Sequence, residues 1–85
     1  MAVAIAVRVR FFARLRELAS VETESISIAP ASTLADVYAA LRVEYPALPD
    51  RQSVRAALNQ EFADWNAKVS DGDEVAFIPP VSGGL

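Results

Sequence analysis

The chain has 85 residues, of which 53% are hydrophobic, and its net charge is −3. This length fits one folded domain, and the apolar content is high enough for a core rather than a disordered segment. The acidic balance disfavours a nucleic-acid binder, which usually needs a basic surface. We find no stretch long enough to span a bilayer and no signal peptide, so we expect a cytoplasmic protein without membrane contact.

The sequence contains neither cysteine nor histidine. Their absence removes thiolate catalysis, disulfides, the commonest general base and the commonest metal ligands. Any chemistry must therefore use a backbone group or the side chains of a partner. The acidic residues Asp71, Asp73 and Glu74 do not have the spacing of a calcium loop, so we expect no metal and interpret them as a hairpin turn.

Hydrophobic periodicity predicts the order of helices and strands. The order is a strand over residues 3–11, a short helix over 13–19, a strand over 22–28, a helix over 34–45, and strands over 54–58, near 62 and over 74–78. Thr33 supplies an N-cap for the main helix, and Pro46 ends it. A single main helix covers only one face of a sheet, so the pattern predicts an α+β domain with one sheet and the helix packed on one face.

The last residues predict an extended tail. We place the domain at residues 1–80 and a flexible tail at 81–85, because the double proline before Val81 ends the strand and favours an extended exit. Residues with a possible role in the tail are Pro80, Val81, Ser82, Gly83 and Gly84. Two glycines can thread a channel that excludes a Cβ, and a glycine carboxylate is an unhindered acyl group. Frayed chain ends have the same composition, so spacing alone does not distinguish a functional tail from a frayed end.

The sheet face opposite the main helix contains candidate interface residues. Strand alternation places Phe12 and Ile78 on this face, where apolar residues are uncommon, and Phe62 is a third candidate. An apolar patch there would dock a partner, unless these residues only pack under local loops. Arg8 and Arg10 point from the same face, either as solvated strand charges or as groups that steer an acidic partner.

The run DGDEVAFIPPVSGG at residues 71–84 closely resembles the C-terminal signature of the small subunit of molybdopterin synthase, a ubiquitin-like sulfur carrier. The segments FFARLREL at 11–18 and AALNQ at 56–60 are also similar to that family. The resemblance covers nearly the whole chain and implies a ubiquitin-like β-grasp fold with one mixed sheet.

The resemblance also implies a mechanism and two partners. A ubiquitin-activating-type adenylyltransferase would use ATP to adenylate Gly84, and sulfur would then convert the adenylate to a thiocarboxylate. The tail would enter the active site of the large synthase subunit and donate its sulfur to the molybdopterin dithiolene. The large subunit would supply the catalytic side chains, and this chain would bind no cofactor of its own.

One residue departs from the family pattern, because Leu85 follows Gly84 where the family normally ends. Leu85 would be a residue left from an expression tag, a residue removed by a protease, or the mark of an inactive carrier. Two other functions stay open: sulfur carriage in a cysteine or thiamine-type pathway, and a β-grasp binding module with an inert tail.

Overall fold

The computed structural model describes residues 3–79. Their elements are β1 (Ile5–Phe11), α1 (Ala13–Ala19), β2 (Thr23–Ile28), α2 (Leu34–Glu44), a turn of 3-10 helix (Arg51–Ser53), β3 (Arg55–Leu58), β4 (Glu61–Ala63) and β5 (Glu74–Ile78). The predicted order is confirmed. Within this part of the chain, no helix has the length and apolar character needed to cross a membrane.

The strands form one mixed sheet in the order β2-β1-β5-β3-β4. β1 and β5 are parallel, whereas the other neighbouring pairs are antiparallel. β5, the last strand in the chain, therefore lies in the middle of the sheet. The predicted α+β architecture with one mixed sheet is confirmed.

The core lies between the sheet and α2. Val9 and Phe11 of β1 are paired in register with Val75 and Phe77 of β5, and all four side chains are buried. The buried residues of α2 recur at helical spacing and cover them: Leu34, Val37, Tyr38 and Leu41. Alternation along β1 and β5 thus directs one set of side chains towards α2 and leaves the other set on the opposite face.

A capping box begins α2. The Thr33 hydroxyl accepts a hydrogen bond from the backbone N–H of Asp36 at 3.2 Å, and the Asp36 carboxylate accepts one from the N–H of Thr33 at 3.0 Å. These bonds satisfy two of the N–H groups that have no partner within the helix. The helix ends at Glu44, two residues before Pro46.

The turn before β5 is held by its own acidic side chains. Asp71 accepts a hydrogen bond from the backbone N–H of Ala6 at 2.8 Å, and Asp73 accepts one from the N–H of Ser70 at 2.7 Å. The predicted turn is confirmed, but its interpretation as a hairpin is wrong. β5 pairs with β1 and β3, so this turn does not join two neighbouring strands.

Candidate docking face and C-terminal tail

The face of the sheet opposite α2, called here the outer face, carries one row of side chains across four strands. Arg10 is in register with Ala76, Ala76 with Ala57, and Ala57 with Phe62. Residues that are paired in register in a sheet project to the same side. The two central positions are alanines, so the sheet is thinly covered between Arg10 and Phe62.

This row forms part of a groove of about 240 Å³, called here the outer groove. Its apolar walls include Phe12, which is 37% exposed, and Phe62, which is 60% exposed. The lining residues are Arg10, Phe12, Ala57, Gln60, Phe62, Glu74, Ala76 and Ile78. Exposed aromatic rings around a concave apolar surface are typical of a protein-binding site.

Guanidinium groups lie against both exposed aromatic rings of the outer groove. The Arg10 guanidinium carbon is 5.0 Å from the centroid of the Phe12 ring, and its Nη1 atom is 3.2 Å from Oε2 of Glu74. The Arg55 guanidinium carbon is 4.1 Å from the centroid of the Phe62 ring. The groove therefore combines an apolar interior with positive charge at its edges.

The structure brings together four of the five residues predicted for a partner interface. Phe12, Phe62, Ile78 and Arg10 all line the outer groove. Arg8 lies on the same face but lines a separate depression instead. The predicted orientation of Phe12, Ile78, Arg8 and Arg10 is confirmed, and the role of all five residues in binding a partner stays a prediction.

Sequence reasoning missed the residues that complete this site. Arg55 and Ala57 of β3 and Ala76 of β5 were not singled out, although strand alternation places each of them on the outer face. Their proximity depends on the pairing of β3 with β5 and β4. That pairing has no signal in the local sequence of any one strand.

The predicted tail residues Pro80, Val81, Ser82, Gly83 and Gly84 lie outside the described residues, and the domain boundary stays a prediction. The structure does show where the last strand ends. β5 ends at Ile78, whose side chain lines the outer groove, and Phe77 before it is fully buried. The chain therefore leaves the central strand of the sheet beside the groove.

Ionisable groups on the α2 side have shifted pKa values. The Tyr45 hydroxyl donates a hydrogen bond to Glu24, and this bond, with burial and the charge of Glu24, raises the pKa of Tyr45 above its ordinary value. Interaction with Glu24 also raises the pKa of Glu44. Burial raises the pKa of Tyr38, whose hydroxyl donates to the carbonyl of Pro49 at 2.7 Å. None of these groups lines the outer groove.

Residues 9–84 match the model of the ThiS family. The chain belongs to the ThiS family. A relative from Mycobacterium tuberculosis, named molybdopterin synthase sulfur carrier subunit, is 40% identical over 83 residues, covering 94% of this chain and 99% of the relative. The predicted resemblance to this family of sulfur carriers is confirmed.

Solved structures agree with the family assignment. A structure of the small archaeal modifier protein 1 of Haloferax volcanii has a TM-score of 0.82 and 28% identity, and the match covers 91% of this chain and 99% of that chain. A complex of subunits 1 and 2 of molybdopterin-converting factor from Helicobacter pylori contains a chain with a TM-score of 0.67 and 31% identity, covering 94% of this chain and 100% of that one. The predicted β-grasp fold is confirmed.

Proposed function

We propose that this chain is the sulfur carrier subunit of a molybdopterin synthase and that its reactive group is the carboxyl of Gly84. The observation that supports this best is the family match, which extends to residue 84 and so includes the Gly83-Gly84 pair. Relatives that bear this name cover almost the whole chain.

The composition supports a backbone carboxyl as the reactive group. A chain without histidine or cysteine has neither of the side chains most used for acid–base and nucleophilic catalysis. In the proposed sequence, the Gly84 carboxylate attacks the α-phosphorus of ATP and pyrophosphate leaves. A hydrosulfide ion supplied by a donor then attacks the Gly84 carbonyl carbon, displaces AMP and loses its proton, which leaves a thiocarboxylate. The activating enzyme holds the ATP, and this chain contributes only its terminus.

This chemistry needs a form of the protein that ends at Gly84. In the printed sequence, the Gly84 carbonyl is joined to Leu85 by a peptide bond. An amide has no free carboxylate for adenylation, so the presence of Leu85 blocks the reaction. The form with Leu85 is therefore a matched control for the form without it.

The outer groove is proposed as the docking site for both partners, the adenylyltransferase and the large synthase subunit. The Helicobacter pylori structure supports a partner of this kind, because it contains both subunits of a molybdopterin-converting factor. Ile78 lies in the groove, ends β5 and is separated from the proposed tail by two prolines. Six residues in extended conformation reach at most about 20 Å, so Gly84 could reach an active site of a groove-bound partner within that distance of Ile78.

The experiment uses two purified forms, one ending at Gly84 and one retaining Leu85. Each is incubated with the activating enzyme, ATP and a sulfur donor, and its intact mass is measured. We expect the form ending at Gly84 to gain the mass difference between sulfur and oxygen, and the form with Leu85 to stay unchanged. An unmodified Gly84 form, with an activating enzyme shown to act on another carrier, would refute the proposal.

A second candidate is a protein modifier that is joined to other proteins through the same carboxyl. The observation in its favour is the higher TM-score with the archaeal modifier protein, 0.82, than with the Helicobacter pylori chain, 0.67. Mass spectrometry of cell extracts distinguishes the two. Lysine residues linked to a tail ending at Gly84 support the modifier, and their absence alongside abundant thiocarboxylate excludes it.

A further inference from the structure

Arg10 and Arg55, at the edges of the outer groove, differ in their polar partners. Arg10 forms an ion pair with Glu74 at 3.2 Å. Within residues 3–79, the other ion pair joins Arg42 and Asp50. In this part of the chain Arg55 therefore lies against an aromatic ring and has no carboxylate partner.

The position of Arg55 links the outer groove to the start of the tail. Arg55 is in register with Ile78, the last residue of β5, and its guanidinium lies over Phe62 of β4. Both neighbours line the groove. A group bound by Arg55 would consequently lie beside the apolar surface and beside the point where the tail leaves the sheet.

The contact of the Arg55 guanidinium with the Phe62 ring, at 4.1 Å from the ring centroid, favours binding of a carboxylate. A guanidinium is planar, and its N–H donors point outward in that plane, so a ring against one face leaves them available. The ring also restricts the rotamers of the side chain, which lowers the entropy lost when a ligand binds. A carboxylate matches this donor geometry through two parallel hydrogen bonds.

The charges around the groove favour an acidic partner group. The charged residues on the outer face of β1, β3 and β5 are Arg8, Arg10, Arg55 and Glu74. The net charge of the whole chain is −3. A locally basic face on an acidic protein attracts an acidic partner surface in one orientation and repels it in others.

We propose that Arg55 is a specificity-determining residue of the outer groove and binds a carboxylate of the large synthase subunit. The carboxylate lies next to an apolar side chain of that subunit, which fills the groove between Phe12 and Phe62. This inference rests on the proposed function, since the large subunit is its occupant.

The test measures binding of Arg55→Glu to the large subunit of the same organism by surface plasmon resonance at low and physiological salt. We expect the dissociation constant to rise about tenfold or more at low salt. We also expect the association rate to lose most of its salt dependence. Arg55→Lys keeps the charge but not the planar set of N–H donors. Its dissociation constant should therefore lie between those of the unmodified protein and Arg55→Glu.

Arg51→Glu is the matched control. Arg51 also lies near an aromatic ring, with its guanidinium carbon 6.0 Å from the Trp65 ring centroid, but Trp65 packs against the core on the α2 side of the sheet. The Arg51→Glu substitution should leave both the dissociation constant and the salt dependence of the association rate unchanged. Thermal unfolding is measured for every variant to verify that each one is folded.

A third variant, Phe62→Ser, separates failure of this inference from failure of the proposed docking site. If Arg55→Glu binds like the unmodified protein at both salt concentrations while Phe62→Ser binds weakly, the role of Arg55 is refuted and the groove remains the docking site. If both variants bind like the unmodified protein, the groove is not the docking site.

Discussion

The indole ring of Trp65 lies nearly parallel to the phenyl ring of Phe77, with 5.8 Å between the ring centroids and 11° between the ring planes. Tyr38 of α2 contacts both rings, at 5.4 Å from Trp65 and 4.9 Å from Phe77. A loop residue, a helix residue and a residue of the central strand therefore form one aromatic cluster. This cluster fixes the strand from which the tail starts.

Trp65→Ala should destabilise the fold by about 2–4 kcal/mol, because it removes a large ring from the edge of the core. Trp65→Phe keeps an aromatic contact with Phe77 and should cost less than half as much. Urea unfolding followed by far-UV circular dichroism measures both, since the chain has no second tryptophan for fluorescence. A loss below about 0.5 kcal/mol for Trp65→Ala would show that the cluster is not important for stability.

Tyr45→Phe should change the pH dependence of stability at alkaline pH. The folded-state pKa of Tyr45 is raised, so its protonated form stabilises the fold fully below the ordinary value of 10.0, and this contribution is lost as pH rises through the raised pKa. We therefore expect the difference in urea midpoint between the two proteins to be constant from neutral pH to about pH 9 and to shrink above pH 10. Tyr38 is present in both proteins, so its contribution to the pH dependence of the urea midpoint cancels when the two midpoints are subtracted. A constant difference across that range would contradict the prediction.

Glu44→Gln should stabilise the protein at neutral pH. The pKa of Glu44 is raised above 4.5 by its interaction with Glu24, so folding favours its protonated form and stability falls as pH rises through that region. The variant lacks this titration. Its urea midpoint should exceed that of the unmodified protein at pH 7 and match it below about pH 4. Glu61→Gln, at an exposed position of β4, is the control for simple loss of one negative charge.

Gln60→Gly should stabilise the protein by about 0.5–1 kcal/mol. Asn59 and Gln60 form the two-residue turn between β3 and β4 with φ angles of 51° and 75°, a backbone conformation that glycine adopts without strain. Asn59→Gly is the contrasting variant, because the Asn59 side chain accepts from the N–H of Glu74 and donates to Asp73. Urea unfolding should show a gain for the first and no gain for the second.

Phe12→Ser should weaken binding of the large subunit by about tenfold or more and change stability by less than about 1 kcal/mol. Phe12 is partly exposed on the outer face, whereas its neighbour Phe11 is buried in the core. Phe11→Ser is therefore the contrasting variant, and it should destabilise the fold strongly. Titration calorimetry and thermal unfolding of both variants separate a binding residue from a core residue.

Local sequence patterns were sufficient to predict much of the fold. Strict alternation over residues 3–11 placed Val9 towards the helix and Arg10 away from it, and Thr33 marked the start of α2, because these signals depend on residues within one turn or one strand. The pattern of elements predicted the α+β class, and the family resemblance supplied the β-grasp fold. The orientation of Phe12 and Ile78 also followed from alternation alone.

Local sequence patterns did not predict which residues come together around the outer groove. Arg55 lies beside Ile78 only because β3 pairs with β5, and the separation of these two residues in the sequence hides that contact. The turn at Asp71–Asp73 was interpreted as a hairpin for the same reason, since a turn signal does not identify the strand that its neighbour will join. Non-local pairing is set by burial of the whole core.

The central position of β5 has a consequence for protein synthesis. β1 and β3 are made well before β5, and neither completes its pairing until β5 is inserted between them. Because a nascent chain folds only once its pairing segments have left the ribosome, the sheet stays incomplete until Ile78 has left the ribosome. A truncated chain consequently has no complete outer groove, and partners that bind this groove would discriminate against unfinished carriers.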